Sequence, residues 1–289
     1  MRTADTDAAG YDVGVGGGRT TVSLGAASMA ACADVRRKLL KIASDMLEAA
    51  PEDLVLANGR VEIVGIKGSG ATTAAVAERA QRLVGPISGS GSFTGPGVAA
   101  MPGCATGHFI DAIDIPVFAV HECEVAVDPE TGHVEVLSYC VVQDVGRALN
   151  PRAIFGQIQG GVVQGLGYAP HEEISIDAYG RIDQTGFETY RVPLAQDVVP
   201  VEIDLYEGAP SIGPLGTKGA GEVPILNVAA AIACAVSNAT GCRAQEIPLT
   251  PPHVLALLLG KQPALELPHI SPLWRDNVLV EPAGLARTL

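Results

Sequence analysis

The run Gly213-Pro-Leu-Gly-Thr-Lys-Gly-Ala-Gly-Glu222 constrains this chain more than any other stretch. Its glycines deny it a regular helix or strand, because each costs about 1 kcal/mol against alanine in a helix and leaves nothing to pack in a sheet. An alternating segment, Val201–Tyr206, precedes it, and an apolar one, Ile225–Thr240, follows and closes at Gly241. The pattern predicts strand, loop and helix, with a loop backbone that can pass close against a ligand. Glu222 ends the loop. There its carboxylate either caps the next helix, favoured by the helix dipole, or sits poorly solvated, where desolvation raises its pKa and suits it to act as a general base. Spacing alone leaves both open.

The rest of the chain mixes elements without strict alternation. A helix is expected over roughly Ala26–Ala50, where Val35, Leu39, Ile42 and Met46 share one face. Asn58-Gly59 between Leu54–Ala57 and Val61–Ile66 marks a hairpin. A second helix follows over Thr72–Leu83, and the Gly/Pro/Ser-rich stretch from Gly85 to Gly107 reads as a long loop or inter-subunit arm. Val117–Val127 and His133–Val142 are strands around the turn Asp128-Pro-Glu-Thr-Gly132, Ala153–Tyr168 is a glycine-studded helix, and Val254–Leu259 a last short one. The fold class is therefore α+β, with mixed sheets, packed helices and long Gly/Pro-rich loops. Residues 1–260 form the domain, which can be split near 10–110 and 111–260, and 261–289 form a tail.

Two further glycine-rich motifs carry chemistry. Val13-Gly-Val-Gly-Gly-Gly-Arg-Thr-Thr21 lacks the preceding strand and the spacing of a dinucleotide-binding fingerprint, which argues against a nicotinamide-dependent dehydrogenase. Running into a helix, it still offers amides, hydroxyls and a cation to an anion such as phosphate, or it is simply a turn. In the segment Gly156–Gly167, Gln157 and Gln164 share a helix face beside several glycines. Either a ligand approaches that backbone closely, or another helix does.

Other classes are disfavoured. A net charge of −13 and an aromatic content of 4 % speak against nucleic acid. None of the six cysteines forms a Cys-x-x-Cys pair, the histidines show no ligand spacing, and no G-x-S-x-G elbow occurs. The polar start Met1–Asp12 and the lack of an apolar run of about 20 residues lead to the expectation of a cytoplasmic chain with no membrane span.

Taken in order, these stretches resemble the C-terminal part of the molybdopterin-binding subunit of the xanthine dehydrogenase/aldehyde oxidase family. The matching motifs are Gly17-Gly-Arg-Thr-Thr21, Pro51-Glu-Asp-Leu54, Glu124-Val-Ala-Val-Asp128 and Asp144-Val-Gly-Arg-Ala-Leu-Asn-Pro151. Gly156-Gln157 through Glu173, Tyr190-Arg-Val-Pro193, Gly213–Glu222 and Ile247-Pro-Leu-Thr-Pro251 complete them, so about residues 10–257 are covered.

The resemblance implies a molybdenum hydroxylase that oxidises an activated C–H of an N-heterocycle or aldehyde with water as the oxygen source. It makes Glu222 the catalytic base. It also assigns molybdopterin, expected in its cytosine dinucleotide form and itself holding the molybdenum, so that no protein metal ligands are implied. Gln157 with Gly156, the Gly17, Gly18, Arg19, Thr20, Thr21 loop, and Lys218, Gly219 and Gly221 match the cofactor contacts. Family subunits are far longer. The expected partners are therefore a chain carrying the N-terminal half, whether the subunit is naturally split as in nicotinate-dehydrogenase-like enzymes or this is a fragment, plus a 2Fe-2S subunit and an FAD subunit. The alternative is a non-catalytic structural or assembly subunit of such a complex.

Overall fold

Helix α1 runs over Thr20–Leu47 in the computed structural model, which describes residues 15–66, 68–93, 116–209 and 211–260 together with Asp5 and Asp7. It starts six residues before the expected Ala26. Gly25 is the reason the sequence hides this: a side chain there would meet Pro214 Cγ at 2.7 Å, so tertiary packing places a poor helix former mid-helix. The helix ends at Glu48, in the left-handed conformation at φ 51°.

The chain folds as two units, and α+β describes it. Among the described residues, the first comprises those of 1–121, with Cys140–Val162 and 201–227. In it, strands β1 (Leu54–Ala57), β2 (Arg60–Ile63) and β3 (Gly70–Thr72) form an antiparallel sheet in that order. Ala57 pairs with Arg60 across the two-residue turn. Asn58 and Gly59 take φ 48° and 74°, the pair of positive angles this tight turn demands. Helix α2 (Thr73–Leu83) follows, its first turn capped by the Thr72 hydroxyl, which accepts from Ala75 N–H at 3.1 Å. Ala43, Leu54, Val61 and Val76 form the core, with Leu39, Ile42 and Met46 of the expected apolar face packed on it. Strand β3 was beyond the sequence pattern, being only three residues long and containing glycine.

After α2 the backbone lies along α1. Side chains at Gly89 and Gly91 would overlap the carbonyls of Ala31 and Ala27, and Lys38 donates to Ser88 O at 2.7 Å. The first part of the expected arm is thus packed against a helix, while 94–107 falls outside the described residues.

A second three-stranded sheet has the order β4 (Ala119–Val127), β5 (Val134–Asp144), β6 (Val201–Tyr206). Helix α3 spans Pro151–Tyr168, its first turn held by Asn150 Oδ1, which accepts from Ala153 N–H at 3.2 Å. Within the first unit, Ile158 and Val162 are fully buried and Gly161 lies against Pro224.

Among the described residues, the second unit comprises Glu122–Tyr139, Val163–Pro200 and 228–260, and the expected tail 261–289 lies outside them. The helix expected over Ile225–Thr240 is two pieces, α4 (Val223–Leu226) and α5 (Val228–Thr240). They part at Asn227, whose side-chain amide donates to Ala119 O at 3.0 Å. The stretch Val223–Thr240 is apolar and long enough to match a membrane crossing by composition, yet it is interrupted there, and Val228, Ile232 and Val236 are fully buried. Gly165 packs against Val228, and α6 (Pro251–Leu258) buries Val254 and Leu257.

Candidate functional site

Three motifs far apart in the sequence meet in the first unit. Gly17 and Gly18, both at positive φ, turn the chain into α1. There the first amides of a 28-residue helix lack intrahelical partners and carry the positive end of its dipole. The backbone of Gly219 crosses Gly18 so closely that a Cβ on Gly219 would overlap the Gly18 carbonyl. Past this crossing, Glu222 Oε2 accepts a hydrogen bond from Gly18 N–H at 3.0 Å. Gln157, on the exposed side of α3, donates its side-chain N–H to Gly221 O at 2.7 Å.

Glu222 stands at the N-cap of α4 but makes no capping bond there. Its carboxylate turns instead toward the start of α1. Of the two readings that spacing leaves open, the cap makes no bond, and the carboxylate is exposed rather than poorly solvated on this chain. Desolvation of Glu222 would need a covering group that these residues do not supply.

Lys218, expected among the cofactor contacts, faces inward. It is 4 % exposed, and its Nζ donates to Asp144 Oδ2 at 2.6 Å and to Pro116 O at 2.7 Å. The Phe118 ring centroid lies 5.9 Å from the ammonium. Asp144 Oδ1 accepts from Gly146 N–H at 3.0 Å. An antiparallel bridge joins Gly146 to Thr217, and Lys218 N–H donates to Val145 O at 3.0 Å. The charge of Lys218 therefore holds the loop rather than an open face.

The open positions lie elsewhere. A side chain built at Gly16, Gly17, Gly156 or Gly221 would meet nothing within 4 Å. Arg19 Nε is buried with no hydrogen-bond partner. Thr20 and Thr21 are the first two residues of α1, Thr21 exposed. Bare backbone, an under-used guanidinium and a helix N-terminus together suit an anionic, polar ligand. Gln157 keeps a carbonyl oxygen and a second N–H for such a ligand. Among the described residues no three His, Cys, Asp or Glu side chains converge on a point that could hold a metal ion.

In the sequence Asp144 stands only as the first residue of the Asp144–Pro151 motif, with nothing local to give it a role. An acidic residue at a strand end is too common to signal a buried partner 74 positions away.

Known proteins with similar sequence and fold place the chain in a family. The family model described as the molybdopterin cofactor-binding domain matches residues 1–199. The 6-hydroxypseudooxynicotine dehydrogenase complex subunit gamma of Paenarthrobacter nicotinovorans is 32 % identical over 260 residues, covering 89 % of this chain and 32 % of that protein. The solved quinoline 2-oxidoreductase of Pseudomonas putida 86 superposes with a TM-score of 0.71 at 26 % identity, over 87 % of this chain and 31 % of that one. A Cu,Mo-CO dehydrogenase matches in fold with a TM-score of 0.73 at 24 % identity, over 89 % of this chain and 32 % of that one. The chain spans about a third of the length of the relatives it matches.

Proposed function

We propose, because the chain belongs to the molybdopterin cofactor-binding domain family, that it contributes part of the active site of a molybdenum hydroxylase, with Glu222 as general base. The substrate class is an activated C–H of an N-heterocycle or aldehyde, with water as the oxygen source. Quinoline, an N-heterocycle, stands in the name of one structural relative. The observation that carries the reading is the hydrogen bond from Gly18 to Glu222. It puts a carboxylate where a glycine-rich loop, a helix N-terminus and the Gln157 amide come together.

The residues fit a pterin with an anionic tail. Gly17, Gly18, Arg19, Thr20 and Thr21 would bind the phosphates, for which the cytosine dinucleotide form is the expectation. Gly156, Gln157, Gly219 and Gly221 would face the ring system, the open backbone at Gly156 and Gly221 leaving room for it. When bound, the cofactor supplies the molybdenum at which carbon is oxidised. The chain's own part is to fix the cofactor and to take a proton at Glu222. The Gly18 amide holds one carboxylate oxygen in place and leaves the other as acceptor.

Exposure of Glu222 fits a site completed by further protein. One relative is named as a subunit of a complex. The expected partners are the N-terminal half of the molybdenum domain, a 2Fe-2S subunit and an FAD subunit. The same exposure would also suit a structural subunit without chemistry, and Glu222 separates the two. In the complex purified from its source, Glu222→Gln is expected to lower turnover by about 10²–10⁴ while molybdenum and pterin content stay at the wild-type level. Unchanged turnover would select the structural reading.

A further inference from the structure

We infer that Asp144 and Lys218 are positioning residues for Glu222, a buried ion pair whose job is to set where that carboxylate stands. The inference rests on the reading of Glu222 as base. Between Lys218 and Glu222 lie only Gly219, Ala220 and Gly221, so no side chain larger than a methyl anchors the loop over that span. The last large anchor before the carboxylate is Lys218. It is held at two levels, by its side chain on Asp144 and Pro116 and by its backbone on Val145. Asp144 in turn is tied by its second oxygen to Gly146, the residue bridged to Thr217.

A buried ion pair is a poor choice for stability alone, because desolvation offsets most of the attraction and apolar replacements often do as well. Its advantage is direction. Two charged groups with fixed partners allow one register of the loop on the end of β5, whereas a pair of apolar side chains would tolerate sliding. Here a slide of about an ångström would carry Gly219 away from Gly18 and stretch the bond of Glu222 to the Gly18 amide past hydrogen-bonding distance.

The test is made in the assembled, cofactor-loaded complex with the double variant Asp144→Asn/Lys218→Met, which leaves no unpaired buried charge. Expected are an unfolding temperature near wild type, kcat per molybdenum lowered at least tenfold, and KM within twofold. In the full chain, hydrogen exchange at the Gly18 amide should accelerate at least tenfold while amides in the middle of α1 keep their protection. A purely structural pair would instead lower the yield or melting temperature and leave kcat per molybdenum intact. Should the double variant not fold, Asp144→Glu decides: both charges stay, the anchor shifts by one methylene, and the same signature is expected. Wild-type kcat and Gly18 exchange in a folded variant overturn the inference. Glu222→Gln in parallel separates the failures, since activity in that variant sinks the base itself, whereas its inactivity beside a normal double variant sinks only the positioning role.

Discussion

The carboxylate of Glu222 is bonded to the backbone amide of Gly18, 204 residues earlier in the chain, at 3.0 Å. A glutamate at the start of one helix thus turns to the N-terminal approach of another. The contact depends on two glycine backbones crossing without side chains, and the first expectation follows from that crossing.

Gly219→Ala should force the two loops apart, since its Cβ would overlap the Gly18 carbonyl. A destabilisation of about 1–3 kcal/mol is expected from overpacking against backbone. Gly221→Ala should fold as well as wild type, because nothing lies within 4 Å of its added methyl, yet it should reduce cofactor content. Denaturant unfolding of the full chain and molybdenum analysis of the complex check the pair. Equal stability of both variants would contradict the crossing.

Gly25 makes a comparable case inside α1. Alanine is the better helix former by about 1 kcal/mol, so propensity predicts a gain for Gly25→Ala. The 2.7 Å approach to Pro214 predicts a loss instead. Melting temperature decides the sign, and a rise would show that the Pro214 loop yields.

Gln143 is fully buried on β5, and neither its amide nitrogen nor its carbonyl oxygen has a hydrogen-bond partner. An unsatisfied buried polar group costs about 1–3 kcal/mol. The near-isosteric Gln143→Met should therefore raise stability or leave it unchanged. A loss above about 1 kcal/mol in urea unfolding would mean the amide is satisfied in solution.

Acid should weaken the fold near neutrality. Burial holds the imidazoles of His121 and His171 below the ordinary 6.5, so the neutral form is favoured in the fold. As pH falls below about 6.5 the unfolded chain takes up those protons first, and stability drops until the folded values are passed. Above 6.5 this contribution is fully present. Melting temperature from pH 8 to pH 5 should decline, and His121→Asn/His171→Asn should flatten the slope. A profile equally steep in the double variant would remove these histidines as its cause.

Legibility varied with the range of the interaction. The Asn58-Gly59 hairpin was readable because two adjacent residues supply both positive φ values. Strand Val201–Tyr206 was readable from its alternation, and its observed bounds are the same. The end of α5 was marked by Gly241, at φ 69°. Conversely, the start of α1 was missed, since a distant Pro214 demands the glycine that local propensity reads as a break. The break at Asn227 escaped for the same reason, because it is set by a carbonyl of another strand.

The sequence by itself determined the α+β class, the order of the motifs and the identity of the residues worth watching, because turns, helix faces and strand alternation are written over a few neighbouring positions. What Glu222 and Lys218 do with their charges was decided only by the tertiary structure. Both residues stand in one loop, yet one carboxylate faces outward toward Gly18 and one ammonium faces inward to Asp144. That difference depends on partners 204 and 74 residues away, a separation over which local pattern carries no information.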